Sequence, residues 1–172
     1  FGRVPLTDLD ADFIAISAHK IHGPKGIGAL WIRDGVAARP LMFGGGQEAK
    51  LRSGTLSPAL CAGFGAAAQI AEERMAEEAE HIEALWGRAC ELFSDWTLNG
   101  GANERWHGNL NIRKDGLDAG RLMSDCRNVM FSAGSACASG SGRPSHVLTA
   151  IGLSEREAKS SIRLGFGRYT RM

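Results

Sequence analysis

Residues Ala15 to Trp31 read AISAHKIHGPKGIGALW, and the fold is decided by how this stretch is taken. The apolar run DFIAISA, 12–18, has strand character; the chain turns through HGPKG and resumes as GIGALWI, 26–32. This pattern predicts a buried strand paired with its neighbour across a short turn. Lys20 then stands at the C-terminal end of the first strand, flanked by Ser17 and His19, where α/β sheets present groups to ligands. Taken alone, a strand-end lysine reaching solvent is the plainer reading. A surface lysine needs no such setting, however, whereas one that meets a phosphate or a carbonyl must be held at one point.

Outward from this stretch the chain alternates strands and helices. GGGQEAKLRSGTLS, 44–57, is a long polar, glycine-rich loop, and Ser57 and Pro58 then supply an N-cap and an N1 proline. One long helix is expected beyond them: Phe64, Ala68, Ala71, Met75, Ala79, Ile82, Trp86, Ala89 and Phe93 keep a helical spacing, with glutamates mainly on the other side. GNLNIRK and VMFSA are expected as short strands with LDAGRLMSDC as a helix between them. PSHVLTAIG and SEREAKS follow as two short helices, the second opened by a capping box of Ser154 and Glu157. SIRLGFG closes the pattern as a strand with Ile162, Leu164 and Phe166 on one face and Arg163 on the other.

The 172 residues suffice for one ordinary domain, so a second would be small or incomplete. Twenty Lys and Arg against nineteen Asp and Glu leave a net charge of +1 without a basic block, which argues against nucleic acid as a partner. No apolar run approaches the ~20 residues of a membrane helix, and a soluble cytoplasmic protein is expected. Cys61, Cys90, Cys126 and Cys137 are scattered and form no CxxC pair, so neither a zinc ribbon nor a disulfide framework is expected. The first three fall in expected helices and read as packing residues; His22, His81, His107 and His146 read as structural or surface groups, and no metal site is expected. Two glycine motifs are set aside. GFGAAA, 63–68, follows a helix start rather than a strand and reads as helix packing, and GPKGIG lacks the spacing of a P-loop.

SAHKIHGPKGIG resembles the cofactor-lysine motif of pyridoxal-phosphate (PLP) enzymes of the aminotransferase class V group. The resemblance implies that Lys20 forms the Schiff base and that Ser17 and His19 hold the cofactor phosphate. SAGSACASGSGRPSHVL, 132–148, sets Cys137 among small residues. It resembles the active-site loop of the NifS/IscS-like, group I cysteine desulfurases that serve iron–sulfur cluster assembly. GGGQEAKLRSGT resembles the loop whose threonine, here Thr55, reaches across a homodimer interface to the partner's cofactor phosphate; its bland reading is a glycine-rich turn before a helix. HGNLNIRK resembles the strand that opens the small domain. SSIRLGFGRYT resembles the strand whose arginine, here Arg163, forks onto the substrate carboxylate; without the resemblance Arg163 reads as an ordinary ion pair.

These motifs run in order along nearly the whole chain. They imply an α/β chain that is the C-terminal part of a fold-type I PLP-dependent transferase. Residues 1–74 would be the remnant of the large PLP-binding domain and 75–172 the small α/β domain carrying the cysteine loop. FGRVPLTDLDADF resembles the segment that follows the family's phosphate loop, ring-stacking histidine, and aspartate and glutamine at the cofactor ring, so the sequence reads as cut and the chain as given is expected to be inactive. In the complete enzyme L-cysteine would yield L-alanine and a persulfide on Cys137 for a sulfur acceptor or iron–sulfur scaffold protein. The alternative is a non-catalytic or incomplete chain acting in dimerisation or sulfur-acceptor contact.

Overall fold

Strand β1, Phe13–Ser17, pairs antiparallel with β2, Gly28–Ile32, from Phe13 opposite Ile32 to Ser17 opposite Gly28. The computed structural model describes residues 9–103, 105–133 and 145–172. The expected pairing is present, but the expected burial is not: Phe13, Ile16 and Leu30 are 49%, 40% and 58% exposed. A two-stranded ribbon buries an apolar face only when further strands or a helix cover it, and among the described residues no third strand joins this one. Arg33 closes its open end, donating to the Ala11 carbonyl at 3.1 Å and pairing with Asp10 at 3.1 Å and Asp12 at 3.5 Å.

Helix α1, Pro58–Glu73, starts where Ser57 and Pro58 place it, with Pro58 in the first turn. The Ser57 hydroxyl makes no capping hydrogen bond, so this start rests on proline's fixed φ and missing donor. The single long helix expected from the apolar spacing is two: α2, Met75–Leu92, begins after Arg74, whose φ of −100° and ψ of 3° leave the helical region. Ala71 and Met75 keep their spacing across the break, so the periodicity does not register it. The chain divides into two compact units, one ending at Ala76 and the other beginning at Glu77.

In the second unit β3, Thr97–Leu98, β4, Asn109–Arg113, and β5, Ser161–Gly165, form an antiparallel sheet in the order β3-β4-β5. Leu110, Ile112 and Ile162 pack with Ala89 of α2 and Ala119, the first residue of α3, Ala119–Asp125. Ile82, Leu85 and Ala89 form the buried stripe of α2, at the spacing an amphipathic helix needs. Beside this core lies a satisfied polar cluster. The Asn99 amide donates to Asn111 Oδ1 at 2.7 Å and Ser161 Oγ at 3.0 Å, Arg113 donates to Asn99 Oδ1 at 2.7 Å, and the Ser161 hydroxyl donates to the Glu157 carbonyl at 2.7 Å. Partnered in this way, the buried groups avoid the desolvation penalty of unpaired ones.

Two short helices precede β5: α4, His146–Ala150, and α5, Glu155–Lys159. The expected capping box opens α5, with Ser154 Oγ accepting the Glu157 N–H at 3.3 Å and Glu157 Oε2 accepting the Ser154 N–H at 2.8 Å. After β5 the chain returns to α2: Arg168 pairs with Glu78, and His81 Nε2 donates to the Thr170 carbonyl at 2.8 Å.

Two further expectations are corrected. VMFSA forms no strand beyond one bridge, Ser132 opposite Arg163, because Val129 and Met130 lie in an exposed turn, 53% and 91% accessible. Cys61 and Cys90 are exposed rather than packed, and Cys126 is the residue that ends α3.

Candidate functional site

Lys20 lies past the strand end, in a 3-10 turn, Ala18–Ile21, that follows β1 directly. Two hydrogen bonds and one left-handed residue fix this turn. Ala18 is fully buried and donates its N–H to Ile27 at 3.1 Å, while its carbonyl accepts the Gly23 N–H at 2.9 Å. His22 closes the turn in the left-handed region, φ 65° and ψ 15°. The turn also seats on α1 through residues too small to hold it off. A Cβ on Gly23 would lie 2.9 Å from the Ala18 carbonyl oxygen and 3.1 Å from Ala67 Cβ, and one on Gly63 would lie 3.1 Å from Pro24 Cγ. GFGAAA therefore serves helix packing, as its position in the sequence implies. Ser17, His19 and Lys20 are all exposed, and among the described residues their side chains make no hydrogen bond or ion pair.

Thr55 ends a loop held in an uncommon conformation. Glu48, Ala49 and Lys50 have φ of 51°, 52° and 67°, a left-handed turn that costs L-residues about 1–2 kcal/mol each. Backbone bonds from Lys50 to Gly46 and Gln47, and from Leu51 to Glu48, hold it. A parallel bridge between Met42 and Arg52 closes the base of the loop. Side chains complete the closure: Gln47 Oε1 accepts the Gly54 N–H at 3.0 Å and Ser53 Oγ accepts the Gly46 N–H at 3.4 Å. Sequence reading passed over these two residues, although a Gln and a Ser inside a glycine-rich loop are the groups able to satisfy its open amides.

Arg163 is at the centre of β5, opposite Asn111 on one side and bridged to Ser132 on the other. Ile162 is buried and Leu164 packs on the same core, so Arg163 alternates away from it. Among the described residues its guanidinium has no ion pair. Cys137 lies outside the described residues. Ser17, His19, Lys20 and Thr55 thus belong to the unit ending at Ala76 and Arg163 to the unit beginning at Glu77.

Two histidines of the second unit have structural partners: His81 as above, and His107 through Nδ1 to Glu83 at 2.7 Å and a stack on Trp86 with ring centroids 4.4 Å apart. Partial desolvation of its sulfur pushes the thiol of the otherwise exposed Cys90 above its ordinary value, against the opposing pull of Arg105. Among the described residues no group of three His, Cys, Asp or Glu side chains could hold a metal, and no helix is long and apolar enough to cross a membrane. Ser17 at the end of β1 and His19 and Lys20 on the turn set a hydroxyl, an imidazole and a primary amine close together in sequence, a donor set of the kind that can hold a phosphorylated aldehyde.

The chain is 43% identical over 178 residues to a protein of Rickettsia typhi named cysteine desulfurase IscS, and 42% identical to its namesake in Rickettsia prowazekii; each alignment covers 99% of this chain and 43% of the relative. Among solved structures, a NifS-like protein superposes with a TM-score of 0.80 at 32% identity, over 96% of this chain and 43% of that one. SspA in complex with cysteine gives 0.75 at 33% identity, over 98% and 47%. The chain therefore spans less than half the length of the relatives it matches. Their fold is the one to which its mixed α/β units correspond, and residues 2–172 match the aminotransferase class-V family, to which this chain belongs.

Proposed function

We propose that this chain supplies the lysine, the arginine and the thiol of a PLP-dependent cysteine desulfurase, which takes sulfur from L-cysteine, releases L-alanine and leaves a persulfide on Cys137. Pyridoxal phosphate, when bound, supplies the electron sink that lets the Cα proton leave. Lys20 Nζ fastens the cofactor covalently, and the Ser17 hydroxyl and His19 ring donate to its phosphate. Thr55 of a second copy of the chain donates to the same phosphate across a homodimer interface. Arg163 binds both carboxylate oxygens of the substrate at once, which fixes how the amino acid lies.

Cys137 Sγ, as thiolate, then attacks the substrate sulfur. A sulfur–sulfur bond forms as the carbon–sulfur bond breaks, and the electron pair left on carbon takes a proton to give alanine. An ordinary thiol, with a pKa of about 8.5, is mostly protonated at neutral pH, so Cys137 must first give its proton to a base. The persulfide passes to a sulfur acceptor such as an iron–sulfur scaffold protein, in the cytoplasm.

The observation that carries this reading is the Lys20 amine, without a hydrogen bond or ion pair among the described residues, on a turn locked at Ala18 and Gly23, in a chain so similar to proteins named as cysteine desulfurases. The test uses the complete polypeptide that carries these residues. With L-cysteine and a thiol reductant it is expected to release alanine and sulfide in equal amounts, and C137S to abolish both while keeping the cofactor's visible absorbance. Full sulfide release by C137S would overturn the assignment of the thiol.

A further inference from the structure

Resting on the phosphate role just given to Thr55, we propose that Gln47 and Ser53 are its positioning residues, a side-chain clasp that sets where its hydroxyl meets the cofactor phosphate. Thr55 is exposed and makes no hydrogen bond among the described residues, so its own contacts do not fix it. What is fixed is the residue before it. The Gly54 N–H is accepted by Gln47 Oε1 at 3.0 Å, across seven residues of chain. Ser53, only 6% exposed, accepts the Gly46 N–H through Oγ at 3.4 Å and donates its own N–H to the Met42 carbonyl at 3.2 Å.

The left-handed turn lies between the two ends of this clasp, at Glu48–Lys50. Three non-glycine residues leave that conformation readily unless the chain on both sides is held, and Gln47 and Ser53 are the side chains that hold it. The Gln47 amide is itself confined, since a Cβ on Gly45 would come within 3.1 Å of both its terminal atoms. A glutamine pressed against a glycine and bonded to a second glycine next to Thr55 is placed to transmit position rather than to touch the phosphate.

The experiment uses the complete polypeptide stripped of cofactor and titrated separately with pyridoxal phosphate and with pyridoxal, which lacks the phosphate. T55A is expected to weaken pyridoxal phosphate about tenfold and leave pyridoxal unchanged, as loss of one charged hydrogen bond requires. Q47M is expected to weaken pyridoxal phosphate roughly three- to tenfold, again sparing pyridoxal, and to speed hydrogen exchange at the Gly54 amide. S53A acts in the same direction, and Q47E, which keeps an acceptor oxygen, restores Gly54 protection. If T55A leaves both affinities unchanged, the phosphate role of Thr55 fails and the clasp with it. If T55A acts but Q47M and S53A do not, or if they weaken pyridoxal equally, Thr55 keeps its role and the clasp is refuted.

Discussion

Ser132 and Arg163 exchange both backbone hydrogen bonds: the Arg163 N–H donates to Ser132 at 2.6 Å and the Ser132 N–H to Arg163 at 3.1 Å. The pair fixes the main chain of the proposed carboxylate-binding arginine from the side opposite β4, and Ser132 stands five positions before Cys137 in sequence. Arg163→Lys keeps the charge but loses the planar fork. KM for cysteine is expected to rise by the equivalent of about 1.5–3 kcal/mol, with cofactor affinity unchanged. Steady-state kinetics beside a cofactor titration check this, and an unchanged KM would make Arg163 a purely structural residue.

Borohydride reduction of the cofactor-loaded protein, followed by peptide mapping, is expected to place the pyridoxyl label on Lys20 and none on Lys25. Gly23→Ala is expected to lower the labelling although it alters no reactive group. Its new methyl would lie 2.9 Å from the Ala18 carbonyl, a backbone atom, so the turn carrying Lys20 has to shift. Equal labelling of wild type and variant would show that the turn tolerates displacement.

Two glycines on α1 offer a matched comparison. A methyl added at Gly65 would meet nothing within 4 Å, so Gly65→Ala gains the ordinary helix preference of about 0.5–1 kcal/mol. Gly63 would place its methyl 3.1 Å from Pro24 Cγ, and there the overpacking of about 1–3 kcal/mol offsets or exceeds the same gain. Urea unfolding is expected to rank Gly65→Ala above wild type and Gly63→Ala below Gly65→Ala. The reverse order would mean that the Pro24 contact carries no weight.

Hydrogen bonds from the Ser154 hydroxyl and N–H hold the Glu157 carboxyl below its usual range, and the charge of Arg113 adds to this. A lowered folded-state value means that the contribution is present above the ordinary glutamate pKa of about 4.3 and is lost as pH falls through the folded value. Ser154→Ala is expected to lower the urea midpoint at neutral pH and to flatten its decline in acid. Parallel acid limbs for the two proteins would refute the link.

How far the sequence could be read depended on whether local chemistry alone set the conformation. The hairpin of β1 and β2, strands β4 and β5 and the α5 capping box follow from alternation, turn residues and the Ser154–Glu157 spacing, all confined to a few neighbours. The break at Arg74 escaped because apolar spacing continues through it, and VMFSA misled because an apolar run carries no sign of whether a partner strand is present. The left-handed turn at Glu48–Lys50 was illegible for a different reason. Nothing in Glu, Ala or Lys asks for that conformation, which is imposed by contacts of Gly46, Gln47 and Ser53. Lys20 stands out in the sequence by its motif, but its place in a 3-10 turn beyond the strand does not follow from that motif.

The contacts of Arg168 with Glu78 and of Thr170 with His81 join residues 90 and 89 positions apart. During synthesis α2 leaves the ribosome long before its partners do, at about 5–20 residues per second, so its opening turns wait several seconds for them. Local helix formation is complete within about a microsecond, whereas these closures carry the loop entropy of nearly the whole unit. The second unit therefore ripens from its middle outward, with β4 and α3 able to associate early and β5 and the 166–170 segment arriving as the last stitch.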